Sequence, residues 1–399
     1  MKLLVTFAAC LLFFAFSKTG TAQLSSPPTK PTHKIENPKA LASFFAALKA
    51  SHSGQRLEPV RIMQFGDSHT AADILTAQIR RRFQSDFGDG GPGFIVPRNP
   101  MSTRRRGVST GASDGWVIEG IGGRTAPDNI YAPAGIALAT NQSNEKVWLQ
   151  TFANHFEVYY VVQPGGGSID IQVDGNSVLD TPILLTARAP RLGSFFYDEP
   201  SPATHRVEVH SLSPGKVRLL GIASEEINPG VVYDVFGING ARASRLLSWN
   251  PTAFSSVVAK REPNLIILAF GTNEAGDADW TPLSYEQLLK RVLRLLRAAS
   301  PAASILVMAP PDRGDLALAS RRMPFLVSSE RRAAIAEGAA FWSAYDAMGG
   351  PGSINVWLSR GLAQADHVHL STPGYTRLAD LFYEDMMRAY EEAKPPNRR

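Results

Sequence analysis

The chain has 399 residues, 44% hydrophobic and 19% charged, which excludes a largely disordered protein and leaves room for two domains with a substantial core. Its formal net charge of +5 is too small a surplus at this length to argue for a nucleic-acid partner. A single cysteine, Cys10, excludes a disulfide framework.

Residues 1–22 read as a secretory signal: Lys2, an apolar stretch over 3–16, then Gly20-Thr21-Ala22 ahead of Gln23. The apolar run is too short to span a bilayer and no later segment is longer, so a soluble mature protein, periplasmic or extracellular, is expected. Cleavage would remove Cys10, Lys2 and Lys18 but no acid, lowering the formal charge to +3. A cysteine-free chain is compatible with an oxidising compartment. Residues 23–36, with Pro27-Pro28 and Pro31, read as a flexible lead, and 39–50 as a helix packing Leu41, Phe44, Phe45 and Leu48.

Residues 59–65 predict a buried strand, and 72–87 a helix with Ile74, Leu75, Ile79 and Phe83 on one side. Gly66-Asp67-Ser68-His69 lies between them, so Ser68 sits in a tight strand-to-helix turn where its oxygen can be exposed beside free amides. Taken alone, the tetrapeptide reads more readily as a turn and a helix cap. The glycine-rich 88–93 reads as a structural turn, since no lysine follows as in phosphate loops. Arg80-Arg81-Arg82 and Arg104-Arg105-Arg106 read as solvated faces, with an anionic wall polymer as the natural ligand if they bind anything.

From about residue 98 the chain turns rich in Gly, Ser, Thr and Asn. Residues 146–152, 156–162, 168–173, 205–210 and 217–222 predict strands, and Asp174-Gly175 a hairpin-like turn. An antiparallel β-sandwich, jelly-roll-like, is therefore expected as an insertion over 98–228. Beyond it, near-continuous apolar strands at 231–236, 264–270 and 304–309, a fifth at 339–345, and helices at 285–299 and 329–338 predict an α/β parallel sheet covered on both faces. The loops after these strands fall at the carboxyl edge, where such sheets place ligands. Asp366 and His369 lie three residues apart in a loop ahead of a helix over 375–390. They offer a base and its orienter for Ser68: His369 to take the hydroxyl proton, Asp366 to set the tautomer. A capped helix end, or a metal site with His367, are the other readings of that loop.

Ser68, Gly240 in Ile238-Asn239-Gly240-Ala241, Asn273 in Gly271-Thr272-Asn273-Glu274, and Asp366 with His369 follow the block order of the SGNH/GDSL hydrolase family, which the chain resembles over roughly 59–97 and 230–390. The resemblance implies a three-layer flavodoxin-like hydrolase domain split between 37–97 and 229–395. It implies Ser68, His369 and Asp366 as catalytic residues, with an oxyanion hole made by the Ser68 and Gly240 N–H groups and the Asn273 side chain. His69, where leucine is common, and Glu274, where aspartate often follows, depart from the pattern. The Gly-Asp-Ser-His variant with a long insertion is similar to bacterial peptidoglycan O-acetylesterases, whose insertions look like carbohydrate-binding modules. His69 is accordingly expected to be structural. Trp116, Trp148 and Tyr159 are candidates for sugar stacking, although the core is the commoner fate of such aromatics. The implied function is an exported serine esterase that removes O-acetyl groups from a cell-wall polysaccharide, peptidoglycan above all, with neither metal nor cofactor. A polysaccharide O-acetyltransferase using the same site, and a non-catalytic wall-binding protein, are the alternatives.

Overall fold

The structure, a computed structural model, describes residues 34–100, 105 and 107–393; the signal segment, most of the lead, Arg104 and Arg106 lie outside the described residues. Five parallel strands, Val60–Gly66, Val231–Gly237, Leu265–Ala269, Ser304–Ala309 and Ala340–Ser343, form one sheet, with the second strand outermost and the first beside it. Their side chains sort by alternation. Met63, Phe65, Ile266, Leu268, Ile305 and Val307 face the helices Pro251–Arg261, Pro282–Ala299 and Ala317–Ala336. Ile62, Leu265, Ile267, Leu306 and Met308 face Ala42–His52, Leu75–Phe87 and Thr372–Glu392. Burial on both faces is why these strands read as near-continuous apolar runs, and the result is the three-layer α/β arrangement expected.

Two boundaries differ from the sequence reading. Ile35 is buried and Glu36 exchanges backbone hydrogen bonds of 2.8 and 3.1 Å with Phe341, so packing begins before the expected end of the lead at 36. The helix expected over 72–87 begins only at Leu75, as Leu75–Phe87, and a separate single turn, Ser68–Ala71, precedes it. Asp73 interrupts it with a positive φ of 47°, its carboxylate accepting from Thr76 Oγ1 at 2.6 Å. A short aspartate tolerates this left-handed backbone, and its local hydrogen bond replaces helical ones.

The insertion is a ten-stranded antiparallel sheet. Its spine is a ribbon of two long strands, Lys146–Val162 and Arg191–Ser213, paired along their length with a register shift between Asp198 and Ala203. Residues 146–152 and 156–162, expected as two strands, are thus one. Side chains from both halves of the ribbon, among them Leu149, Val158 and Val207, belong to one buried cluster, and where a sandwich was expected the strands form one sheet. Gly93–Ile95 pairs with Val217–Glu225, which starts this sheet a few residues ahead of 98.

Both sheets lie in one compact unit. Phe94 of the inserted sheet packs on Tyr159 and on Phe236 of the parallel sheet, with ring centroids 5.2 and 5.5 Å apart. Beside them, Arg61 and Arg261 hold Glu225 from the insertion, and Arg261 also holds Asp234 at 2.9 Å, so two buried cations match two buried anions. Trp116 and Tyr159 are fully buried in these cores, which corrects their candidacy for sugar stacking; the Trp148 ring is already covered by Arg206 at 4.0 Å. Among the described residues no helix is long and apolar enough to cross a membrane.

Candidate active site

Three loops meet at the carboxyl end of the parallel sheet, because the strands feeding them are neighbours: Gly66 stands in register with Gly237 on one side and Ala269 on the other. Close approach sets the residue types. A Cβ on Gly66 would lie 2.1 Å from Thr70 Oγ1, and one on Gly237 2.1 Å from Ala71 N, so only glycines let the Ser68–Ala71 turn settle onto the strand ends. Asp67, extended and buried, caps that turn by accepting from His69 N at 3.0 Å. The turn being so short, local N–H groups there, rather than the dipole of a long helix, favour negative charge at Ser68.

Ser68 Oγ lies 2.8 Å from His369 Nε2, and His369 Nδ1 lies 2.7 Å from Asp366 Oδ2. The other carboxylate oxygen, Oδ1, accepts from the backbone N–H groups of Val368 and His369 at 3.0 and 2.9 Å. Desolvation opposes ionisation of Asp366, but the hydrogen bond from His369 and those two amides outweigh it and hold its carboxyl down to about 2. An ionised Asp366 accepts from Nδ1–H, which leaves Nε2 as the acceptor facing the serine. His367 does not join them. Its backbone is left-handed at φ 56°, its ring bonds Asn355 Oδ1 at 2.9 Å, and its carbonyl accepts from Gly314 N at 2.8 Å, which pins the loop.

Gly240 is left-handed at φ 72° with nothing within 4 Å of where a Cβ would stand, so conformation rather than crowding calls for glycine. The hydrogen bond of its turn runs from Ala241 N to Ile238 O at 3.1 Å. Asn273, on the short helix Thr272–Ala275, donates one N–H to Ala241 O at 2.8 Å, and its carboxamide carries a second.

The sequence marked Glu274 only as a departure; the structure shows what it does. Buried, it accepts from Ala243 N at 2.8 Å and Gly271 N at 3.1 Å, tying the glycine loop to the asparagine loop. Burial pushes its carboxyl up to about 7 against these two amides. His69 is buried beside the nucleophile, its Nδ1 2.8 Å from Tyr375 Oη and its ring 5.3 Å from that of His369. Burial holds it down to about 4, with the Asp67 charge opposing, so it is neutral at working pH. Tyr375 was read only as a helix residue; no motif could reveal a partner 306 positions away. The solvated-face reading of the arginine runs is corrected for Arg80 and Arg105, whose side chains are buried around Asp73.

Residues 211–377 match the GDSL-like Lipase/Acylhydrolase family. The match starts near the end of the inserted sheet, taking in the glycine, asparagine and histidine loops but not Ser68. No curated protein matches. A solved structure described as a peptidoglycan O-acetylesterase in action is 27% identical, covers 90% of this chain and 99% of that chain, and has a TM-score of 0.75. A family two carbohydrate esterase from Cellvibrio japonicus is 14% identical over 72% of this chain and 99% of its own, at a TM-score of 0.30 that is too loose to bear on fold or function.

Proposed function

We propose that this chain, which matches the GDSL-like lipase/acylhydrolase family over residues 211–377, is an exported serine esterase that removes O-acetyl groups from peptidoglycan. The observation that carries the chemistry is the hydrogen-bonded series Ser68, His369, Asp366 at 2.8 and 2.7 Å. The substrate reading is supported by likeness to a peptidoglycan O-acetylesterase over 90% of the chain, a span wide enough to take in much of the inserted sheet. Export rests on residues 1–22.

Ser68 Oγ attacks the acetyl carbonyl as His369 Nε2 takes its proton. Negative charge on the carbonyl oxygen is met by the Ser68 and Gly240 N–H groups and the second N–H of Asn273. Collapse breaks the bond to the sugar oxygen, which leaves with the proton from His369 and yields acetyl-Ser68. Water then gives a proton to His369 and attacks the acetyl group, and Ser68 is regenerated with release of acetate. Asp366 stays ionised throughout and stabilises the imidazolium formed in each half.

The test is acetate release from O-acetylated peptidoglycan, acetylated xylan and a small acetyl ester by wild type and Ser68→Ala. Serine-dependent release that favours peptidoglycan is expected; release from the small ester alone would overturn the substrate, and release undiminished in Ser68→Ala would overturn the mechanism.

A further inference from the structure

Between the two sheets lies a cavity of about 470 Å³, within the size range of small-ligand sites. Its walls include Asp73, five residues after Ser68, and Val235 and Phe236, which run directly into the glycine loop. The opposite wall comes from the inserted sheet and the segment leading into it, with Phe94, Ile118 and Arg105. The cavity thus borders the chain segments that carry the nucleophile and an oxyanion donor.

The charges around it do not balance. The carboxylate of Asp73 is already engaged by both guanidinium nitrogens of Arg80, at 3.2 and 3.3 Å. Arg105 reaches the same carboxylate only at 4.0 Å, its side chain 7% exposed and its buried Nη1 without a hydrogen-bond partner among the described residues. Asp234, farther off, is matched by Arg261. Two guanidinium groups against one carboxylate leave one positive charge, and the exposed Arg98 at the cavity edge adds another. A buried cation is costly unless an anion completes it. Burial depresses the Arg105 guanidinium to about 10, the mark of a charge short of partners.

We propose that Arg105 is the anchor of an anion subsite in which the esterase holds a carboxylate of its acetylated polymer, the apolar walls of Phe94, Ile118 and Phe236 taking the adjoining aliphatic part. A planar carboxylate suits the guanidinium fork. In a peptidoglycan that carboxylate belongs either to the peptide stem or, where peptides have been stripped, to the lactyl ether of the sugar. The substrate assignment rests on the function proposed above; the anion subsite itself does not.

The test compares full-length wild type and Arg105→Gln by the ratio of kcat/KM on O-acetylated wall glycan to kcat/KM on a small neutral acetyl ester. The ratio should fall about tenfold in the variant, from loss of a charge-assisted hydrogen bond. An equal fall on both substrates would overturn the proposal, as would an unchanged ratio. A larger fall on peptide-bearing glycan assigns the carboxylate to the peptide, and on peptide-free glycan to the sugar. Independently of turnover, N-acetylmuramic acid or muramyl dipeptide should raise the Tm of wild type where N-acetylglucosamine does not, and Arg105→Gln should lose that rise. Absence of any carboxylate-dependent rise in wild type would sink the subsite even if the esterase reading stands. A rise in an enzyme that ignores wall glycan would sink only the substrate.

Discussion

Asparagine at position 366 should damage the enzyme as severely as alanine does, although it keeps the shape of the side chain, and the hydrogen bonds around Asp366 say why. Oδ1 accepts two backbone N–H groups at 3.0 and 2.9 Å, while Oδ2 faces His369 Nδ1 at 2.7 Å. An asparagine has one oxygen for these two sides. Turning its NH2 toward the amides would forfeit two hydrogen bonds, about 1 kcal/mol each, and set donor against donor. The oxygen therefore stays with the amides and the NH2 points at Nδ1. The imidazole must then accept at Nδ1 and carry its proton on Nε2, against Ser68 Oγ, where it can no longer take the serine proton. A tautomer error of this kind costs about 10⁴-fold in turnover in the serine protease triad, about 5 kcal/mol of barrier. Asp366→Ala withdraws the orienter altogether and should also lose about 10⁴-fold, the order found when the aspartate of such a triad is removed. The assay is kcat/KM on a small acetyl ester for both variants, with circular dichroism to check folding. An Asp366→Asn enzyme within tenfold of wild type, or far more active than Asp366→Ala, would refute the reasoning.

Asn273→Ala should lower kcat about 10²–10³-fold with KM changed far less, because its second N–H serves the charge that develops in the transition state; a raised KM with intact kcat would assign Asn273 to ground-state binding instead. His69, held at about 4 in the folded chain, titrates at about 6.5 when unfolded, so the unfolded state binds the extra proton between those values. Its share of stability is intact above pH 6.5 and is lost as pH falls toward 4, by up to about 3 kcal/mol. Urea unfolding of wild type and His69→Asn at several pH values from 7.5 to 4.5 should show the steeper acid loss in wild type; parallel curves would remove His69 from the account.

The parallel sheet was legible in the sequence because strands buried on both faces must be apolar throughout, and Leu265–Ala269 and Ser304–Ala309 are. The candidate site residues were legible for a related reason. Ser68, Gly240, Asn273 and the pair Asp366 and His369 follow, or are carried by, elements whose ends periodicity locates, and their residue types are dictated by chemistry and by backbone approach. Local signals also carried the Asp174-Gly175 turn, where φ values of 51° and 84° need such residues.

Other features depended on distance in sequence. A bent strand that stays paired through a bulge looks like two short strands, so Lys146–Val162 was read in halves and the first part of Arg191–Ser213, half exposed and broken by prolines, was passed over. The arginine runs looked solvated because a charge declares its burial only through its partner: Arg80 is inside because Asp73 turns back to meet it, and Arg105 because the insertion folds over both. Trp116 and Tyr159 could equally have faced a sugar or a core until the sheet closed around them. Residue order alone singled out the candidates for ester chemistry and the kind of element on which they ride. Which charges are buried and which stay unmatched emerged with the folded arrangement, since burial and pairing are properties of groups that folding brings together.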